Sequence, residues 1–185
     1  MTRIMIIIGS VRPGRVGPSV AAWVAERAEE REGVEVDLVD LAELALPLMD
    51  EPAHPAKQRY EHEHTRAWSA RVQGADAVVL VTPEYNHSFS PALKNAIDYL
   101  WAEWQRKPLG FVSYGGISAG TRGVTALEPV VSYLGMTRAL AAVEIANVGA
   151  RVEDGVFSPA DGERSALEAL LDELEALAAP TAVRG

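Results

Sequence analysis

Residues 3–19 read RIMIIIGSVRPGRVGPS, and the architecture of the chain is already implicit in them. Arg3 to Ile8 is a short apolar run rich in isoleucine, and Gly9 ends it. Such a run, bounded by glycine, is the pattern of a strand buried on both faces of a parallel sheet. A glycine-rich loop carrying Arg12 and Arg15 follows, and it opens into PSVAAWVAERAEERE, where Val20, Trp23, Val24 and Ala28 recur near helical spacing. Pro18 suits a first helical position, where its missing N–H does no harm, and Gly33 ends the helix. The opening unit is therefore strand, glycine-rich loop, helix.

The remainder repeats that unit. VEVDLVDL (34–41) alternates like a half-buried strand. Residues 43–60 hold three prolines and no clear period, so they read as a long loop, functional or part of an interface. YEHEHTRAWSARVQGA predicts a helix closing near Gly74, and Ala77 to Thr82 predicts a buried strand. Ser90 and Pro91 make a cap and a first helical position. From there Leu93, Ala96, Ile97, Leu100, Trp101 and Trp104 line one face of a single predicted helix over 91–104. KPLGFVSYGG predicts a strand ending at Ser113. A helix over 119–135 comes next, with Pro129 kinking it or marking a late start. TRALAAVEIA is a fifth strand, 147–163 a loop, and ERSALEALLDELEALAA an amphipathic helix before a frayed tail, PTAVRG. Strict alternation of strands and helices predicts an α/β protein with a parallel sheet covered on both faces.

Composition narrows the function classes. A chain of 185 residues, 48% hydrophobic, suits one domain over 1–185 with a sizeable core. With 17 basic against 26 acidic residues, the net charge of −9 disfavours nucleic acid and anionic membranes as partners. The cysteine count of 0 excludes disulfides, thiolate nucleophiles and cysteine-ligated metals. The first apolar run is too short for a signal peptide, and no stretch approaches a membrane span, so a cytoplasmic protein is expected. His54, His62, His64 and His87 do not predict a metal site: His62 and His64 lie two apart and would diverge on a helix, and no carboxylate spacing completes a ligand set.

Ligands of open parallel sheets bind beyond the carboxyl ends of the strands. That rule selects loops 9–17, 82–90 and 113–122. The first runs into a helix N-terminus, where free N–H groups favour an anion. Ser10 adds a hydroxyl, and Arg12 and Arg15 add forked cationic donors suited to phosphate; the competing reading is a surface turn with solvated arginines. A Walker loop is excluded because no lysine is present, and GSVRPG does not match the dinucleotide fingerprint. Asp40, at the end of the second strand, is no convincing ribose ligand. In the second loop Tyr85 offers a flat surface and Asn86 both donors and acceptors. The third, SYGGISAGTRG, is small enough for a planar ring to lie against backbone. A packed turn and a mobile glycine-rich turn are the plainer readings of these two loops. Together the three describe a site for a mononucleotide with a large flat base.

The trio GSVRPGR, TPEYNHSFSPALKNAIDYL and VSYGG resembles the NADPH-dependent FMN reductase family, which includes quinone, chromate and azo-dye reductases. The resemblance spans roughly residues 3–145. It implies a flavodoxin-like, three-layer, doubly wound fold with a five-stranded parallel sheet in the order 2-1-3-4-5. It also implies non-covalent FMN, NAD(P)H as co-substrate, and a homodimer or tetramer formed through the 91–104 helix. By position, Ser10, Arg12, Arg15, Val16 and Gly17 would surround the FMN phosphate. Pro83, Glu84, Tyr85 and Asn86 would border the isoalloxazine, with Ser113, Gly115 and Gly116 on its other edge. Some relatives carry serine and asparagine where Arg15 and Gly17 stand, and others glycine, tyrosine or arginine at His87. The flavin would carry the chemistry in a ping-pong scheme with quinones, free flavin or similar acceptors, so no catalytic side chain and no metal is expected. Glu84 would be structural. The alternative functions are a flavodoxin-type electron carrier without pyridine-nucleotide turnover and a flavin-binding regulatory protein.

Overall fold

The computed structural model describes residues 1–179; the tail PTAVRG, read as frayed, lies outside the described residues. Five strands, β1 (Thr2–Ile8), β2 (Val34–Asp40), β3 (Ala77–Pro83), β4 (Pro108–Tyr114) and β5 (Thr137–Ile145), form one parallel sheet in the order β2-β1-β3-β4-β5. The helices are α1 (Gly17–Glu29), α2 (Leu41–Leu44), α3 (Glu63–Gln73), α4 (Pro91–Asp98), α5 (Thr121–Tyr133) and α6 (Asp161–Ala178). A two-stranded antiparallel ribbon, β6 (Val152–Glu153) and β7 (Val156–Phe157), lies inside the segment expected to be loop.

The apolar runs of β1, β3 and β4 are central because both of their faces are covered. Ile4, Ile6 and Ile8 pack with α1 and α6 on one side, while Met5 and Ile7 pack with α3, α4 and α5 on the other. Edge strand β2, with its alternating sequence, is buried only at Asp37 and Val39. Ile8 lies beside Asp40 in β2 and Val81 in β3, and Pro83 lies beside Tyr114 in β4. This register brings the strands out at one edge, so their following loops emerge side by side.

Three sequence expectations are corrected. The predicted helix over 91–104 ends at Asp98, and a separate 3-10 turn covers Ala102–Trp104. Side chains cap the break. Trp68 Nε1 donates to Ala96 O at 2.8 Å and Trp104 Nε1 to Ile97 O at 3.0 Å, occupying carbonyls at the helix end. Tyr99 Oη is drawn to Pro47 O at 3.0 Å and Asp50 Oδ1 at 2.8 Å. Second, His62 precedes α3 in extended backbone, so its ring does not diverge from that of His64. The two stack with centroids 5.2 Å apart, and both point at Asp50. Third, α5 starts at Thr121 and carries Pro129 in its interior, so the proline does not mark a late start. Segment 43–60 is irregular apart from the end of α2 and a 3-10 turn at Pro55–Lys57. It is strapped along α4 by Asn95 as well as by Tyr99.

Replacing Trp68, which is 1% exposed, by Phe removes the N–H that caps Ala96. Urea denaturation of Trp68→Phe should show unfolding free energy lowered by about 1–3 kcal/mol.

Candidate functional site

The three loops selected from the sequence converge on one cavity of about 720 Å³ at the carboxyl edge of the sheet, a size suited to a small-molecule ligand. Ser10, Arg12, Arg15 and Val16 line it from the first loop, Pro83, Glu84, Tyr85 and Asn86 from the second, and Gly115 and Gly116 from the third. Gly17 and Ser113 are buried and lie behind the lining. A fourth loop, Asn147 to Ala150, contributes as well, together with Tyr114. The carboxyl-edge rule applied to β5 would have found that loop. Tyr114 gave no such signal, because as a strand-end aromatic it reads as core. No residue of segment 43–60 reaches the cavity lining.

Local chemistry explains each loop. Pro18 stands in the first turn of α1 and no side chain caps that helix, so its N-terminus stays open to an acceptor from outside. In the second loop, Tyr85 and Ser88 exchange backbone hydrogen bonds at 2.8 and 2.9 Å. Asn86 and His87 between them have φ of 49° and 66°. This two-residue hairpin turn requires left-handed backbone at both central positions. Ser90 donates its hydroxyl to Gly9 O and accepts from Leu93 N at 3.1 Å, tying the α4 cap to the first loop. The third and fourth loops zip together through Val148 N to Gly115 O at 3.1 Å and Asn147 N to Gly116 O at 2.9 Å. Gly120 is needed there: its φ is +81°, and an added Cβ would stand 2.7 Å from the Tyr114 backbone N and O.

The charges divide into struts and a free cation. Arg15 clamps both oxygens of Asp40 at 2.5 Å and reaches Ser10 O at 2.6 Å. Asp40 also accepts from Ala42 N at 2.9 Å. Burial opposes ionisation of Asp40, but the Arg15 fork and the Ala42 N–H outweigh it and hold the carboxyl below its ordinary value. The Arg15 guanidinium is thereby committed to the protein. Glu84, 9% exposed, accepts from Arg122 Nε at 2.7 Å and from Ser118 Oγ at 2.8 Å. The Arg122 bond leads in holding its carboxyl below the usual range. Glu84 therefore ties the second loop to the third. Ser10 Oγ and Tyr85 Oη, 2.8 Å apart, join the first loop to the second. Arg12 is exposed and makes no ion pair among the described residues. No cluster of three or more metal-ligating side chains occurs among the described residues, and none of their helices is long and apolar enough to cross a membrane.

Residues 2–149 match the family model described as NADPH-dependent FMN reductase. The chain is 38% identical over 160 residues to an NAD(P)H-dependent FMN reductase of Schizosaccharomyces pombe, covering 85% of this chain and 80% of that protein. It is 43% identical over 125 residues to the NAD(P)H-dependent FMN reductase LOT6 of Saccharomyces cerevisiae, covering 62% of this chain and 65% of that one. Its fold superposes with a TM-score of 0.74 on FerB, a flavoenzyme NAD(P)H:(acceptor) oxidoreductase of Paracoccus denitrificans, at 20% identity over 95% of this chain and 98% of that one.

Two predictions follow from the struts and the hairpin. Because the folded-state pKa of Asp40 is depressed, its contribution to stability is present above its ordinary value and is lost as pH falls through the folded value. Asp40→Asn should be destabilised by roughly 1.5–3 kcal/mol at pH 7. Its loss of stability in acid should also be shallower than that of the wild type, as read from urea midpoints between pH 7 and 3. His87, left-handed and without a side-chain hydrogen bond among the described residues, should be replaceable by Gly with a gain of about 0.5–1 kcal/mol, measured as a raised urea midpoint.

Proposed function

The chain belongs to the NADPH-dependent FMN reductase family, and from that membership we propose that it is an FMN-dependent NAD(P)H oxidoreductase whose FMN sits, without a covalent link, in the cavity at the carboxyl edge of the sheet. The observation that carries this reading is the chemical polarity of that cavity. One end offers an uncapped helix N-terminus and the free Arg12 guanidinium; the walls offer the Tyr85–Asn86 hairpin and the bare backbone of Gly115 and Gly116. A phosphate matches the first and a flat heterocycle the second. The donor set thus fits FMN, with Ser10, Arg12, Val16 and the start of α1 toward the phosphate, and Pro83, Glu84, Tyr85, Asn86, Gly115 and Gly116 around the ring. Of the other residues expected from sequence, Gly17 and Ser113 lie behind that surface, and Arg15 lines it while holding Asp40 and Ser10 O.

FMN held there would supply two-electron chemistry between NAD(P)H and a quinone, free flavin or a similar acceptor. The protein's own part is to bind, orient and exclude water. Glu84 holds the loops on either side of the ring at a fixed separation through Ser118 and Arg122. In the ping-pong scheme NAD(P)H and the acceptor would use the same cavity in turn. No side chain is assigned a proton-transfer role. Pairing into a homodimer or tetramer would use the surface of α4 and the turn after it, where half-buried Trp101 meets the exposed ring of Tyr133 at 5.2 Å.

Titration of the flavin-stripped protein with FMN and riboflavin, followed by flavin fluorescence, tests the site. Stopped-flow NAD(P)H oxidation with and without a quinone tests the reaction. Tight FMN binding, weak riboflavin binding and parallel-line kinetics are expected. FMN binding without pyridine-nucleotide turnover would instead indicate an electron carrier. Arg12→Ala should weaken FMN binding by ~1.5–3 kcal/mol through loss of charge-assisted bonds, with riboflavin binding unchanged.

A further inference from the structure

Tyr114 ends β4 with a hydroxyl that the protein itself leaves unused. Its side chain is 4% exposed, and its Oη is buried with no hydrogen-bond partner among the described residues. Nearby, the Arg15 guanidinium is held by Asp40 and Ser10 O, and the Ser10 hydroxyl, bonded to Tyr85, lies close enough to favour the ionised phenol without reaching hydrogen-bond geometry to it. Packing alone gives no reason for the oxygen. A phenylalanine would fill the same space without leaving a buried donor unpaired.

The position of the oxygen identifies what it faces. An added Cβ on Gly17, the first residue of α1, would stand 2.5 Å from Tyr114 Oη and 3.2 Å from Ile8 Cγ2. The hydroxyl therefore lies against Gly17, at the uncapped N-terminus of a 13-residue helix. Tyr114 lines the same cavity as Ser10 and Arg12. Burial pushes the phenol up from its ordinary value, so at neutral pH it is a donor. A neutral donor, open helix N–H groups and a free guanidinium all call for a ligand that only accepts hydrogen bonds and carries negative charge.

We propose that Tyr114 is a phosphate-recognition residue, its hydroxyl donating to the phosphate ester of FMN from beneath the first loop and so contributing to selection of the phosphorylated flavin over riboflavin. This rests on reading the cavity as the FMN site. It assigns one strand end to both parts of the ligand: the side chain of Tyr114 serves the phosphate, and the backbone of the next two residues serves the ring edge.

The test is a fluorescence titration of flavin-stripped wild type and Tyr114→Phe with FMN and with riboflavin, alongside thermal melting without ligand. Tyr114→Phe should bind FMN about ten- to a hundredfold more weakly, as expected for losing a bond to a charged acceptor, and bind riboflavin as the wild type does. Its melting temperature without ligand should equal or exceed that of the wild type, because an unpaired buried hydroxyl has been removed. FMN affinity unchanged by Tyr114→Phe, with the wild type still preferring FMN, would overturn the proposal and leave the site reading standing. A clear fall in the ligand-free melting temperature would also overturn it, because the hydroxyl would then be bonded within the protein. A wild type that binds FMN no better than riboflavin would refute the phosphate reading of the cavity, and this assignment with it.

Discussion

Burial of β1 and β3 on both faces is the constraint from which the other features follow. With helices covering each side of these strands, their side chains are committed to the two halves of the core. Polar chemistry is left with the ends of the strands. Because all five run parallel, the carboxyl ends collect at one edge, and the loops that leave them must share that edge. The first and second loops also leave from adjacent strands that lead to opposite faces, β1 to α1 and β3 to α4. The crevice opens between them.

A crevice formed by four loops would be loose if each loop were held only at its ends. Side chains remove that freedom. Ser90 bonds Gly9, Ser10 meets Tyr85, Glu84 holds Ser118 and Arg122, and Arg15 is locked to Asp40. Most of the charged and hydroxyl groups that seem available in the sequence are thus consumed in building the site. Two of those left over, Arg12 and the Tyr114 hydroxyl, lie near the open end of α1. Such a division suits a protein whose reactive group is a cofactor: the polypeptide needs rigidity and a few well-placed donors, not a nucleophile.

Much of this was legible in the linear chain. The isoleucine run, the alternation of strands with amphipathic segments and the positions of Pro18, Ser90 and Pro91 depend on local chemistry, and each appears in the structure as expected. The misreadings share a cause. The apolar face of 91–104 continues past Asp98 in helical spacing, but indole N–H groups from Trp68 and Trp104 take the carbonyls at the helix end. His62 and His64 diverge only if both are helical, and His62 is not. Both places carry contacts from outside the local segment: the indole of Trp68, 28 positions from Ala96, and Glu51, which accepts from His62 N at 3.0 Å.

The five strands, most of the helices, the glycine-rich turn and the three cavity-lining loops are properties of short segments, set by hydrophobic periodicity and by the backbone limits of proline and glycine, and the order of residues alone determined them. The partners of the charged and hydroxyl groups were a different matter. That Arg15 meets Asp40, 25 residues on, and that the oxygen of Tyr114 lies against Gly17 could not be read from the linear chain. Those outcomes depend on distances between strand ends, which exist only once the sheet has closed in its own register, so the tertiary structure alone decided them.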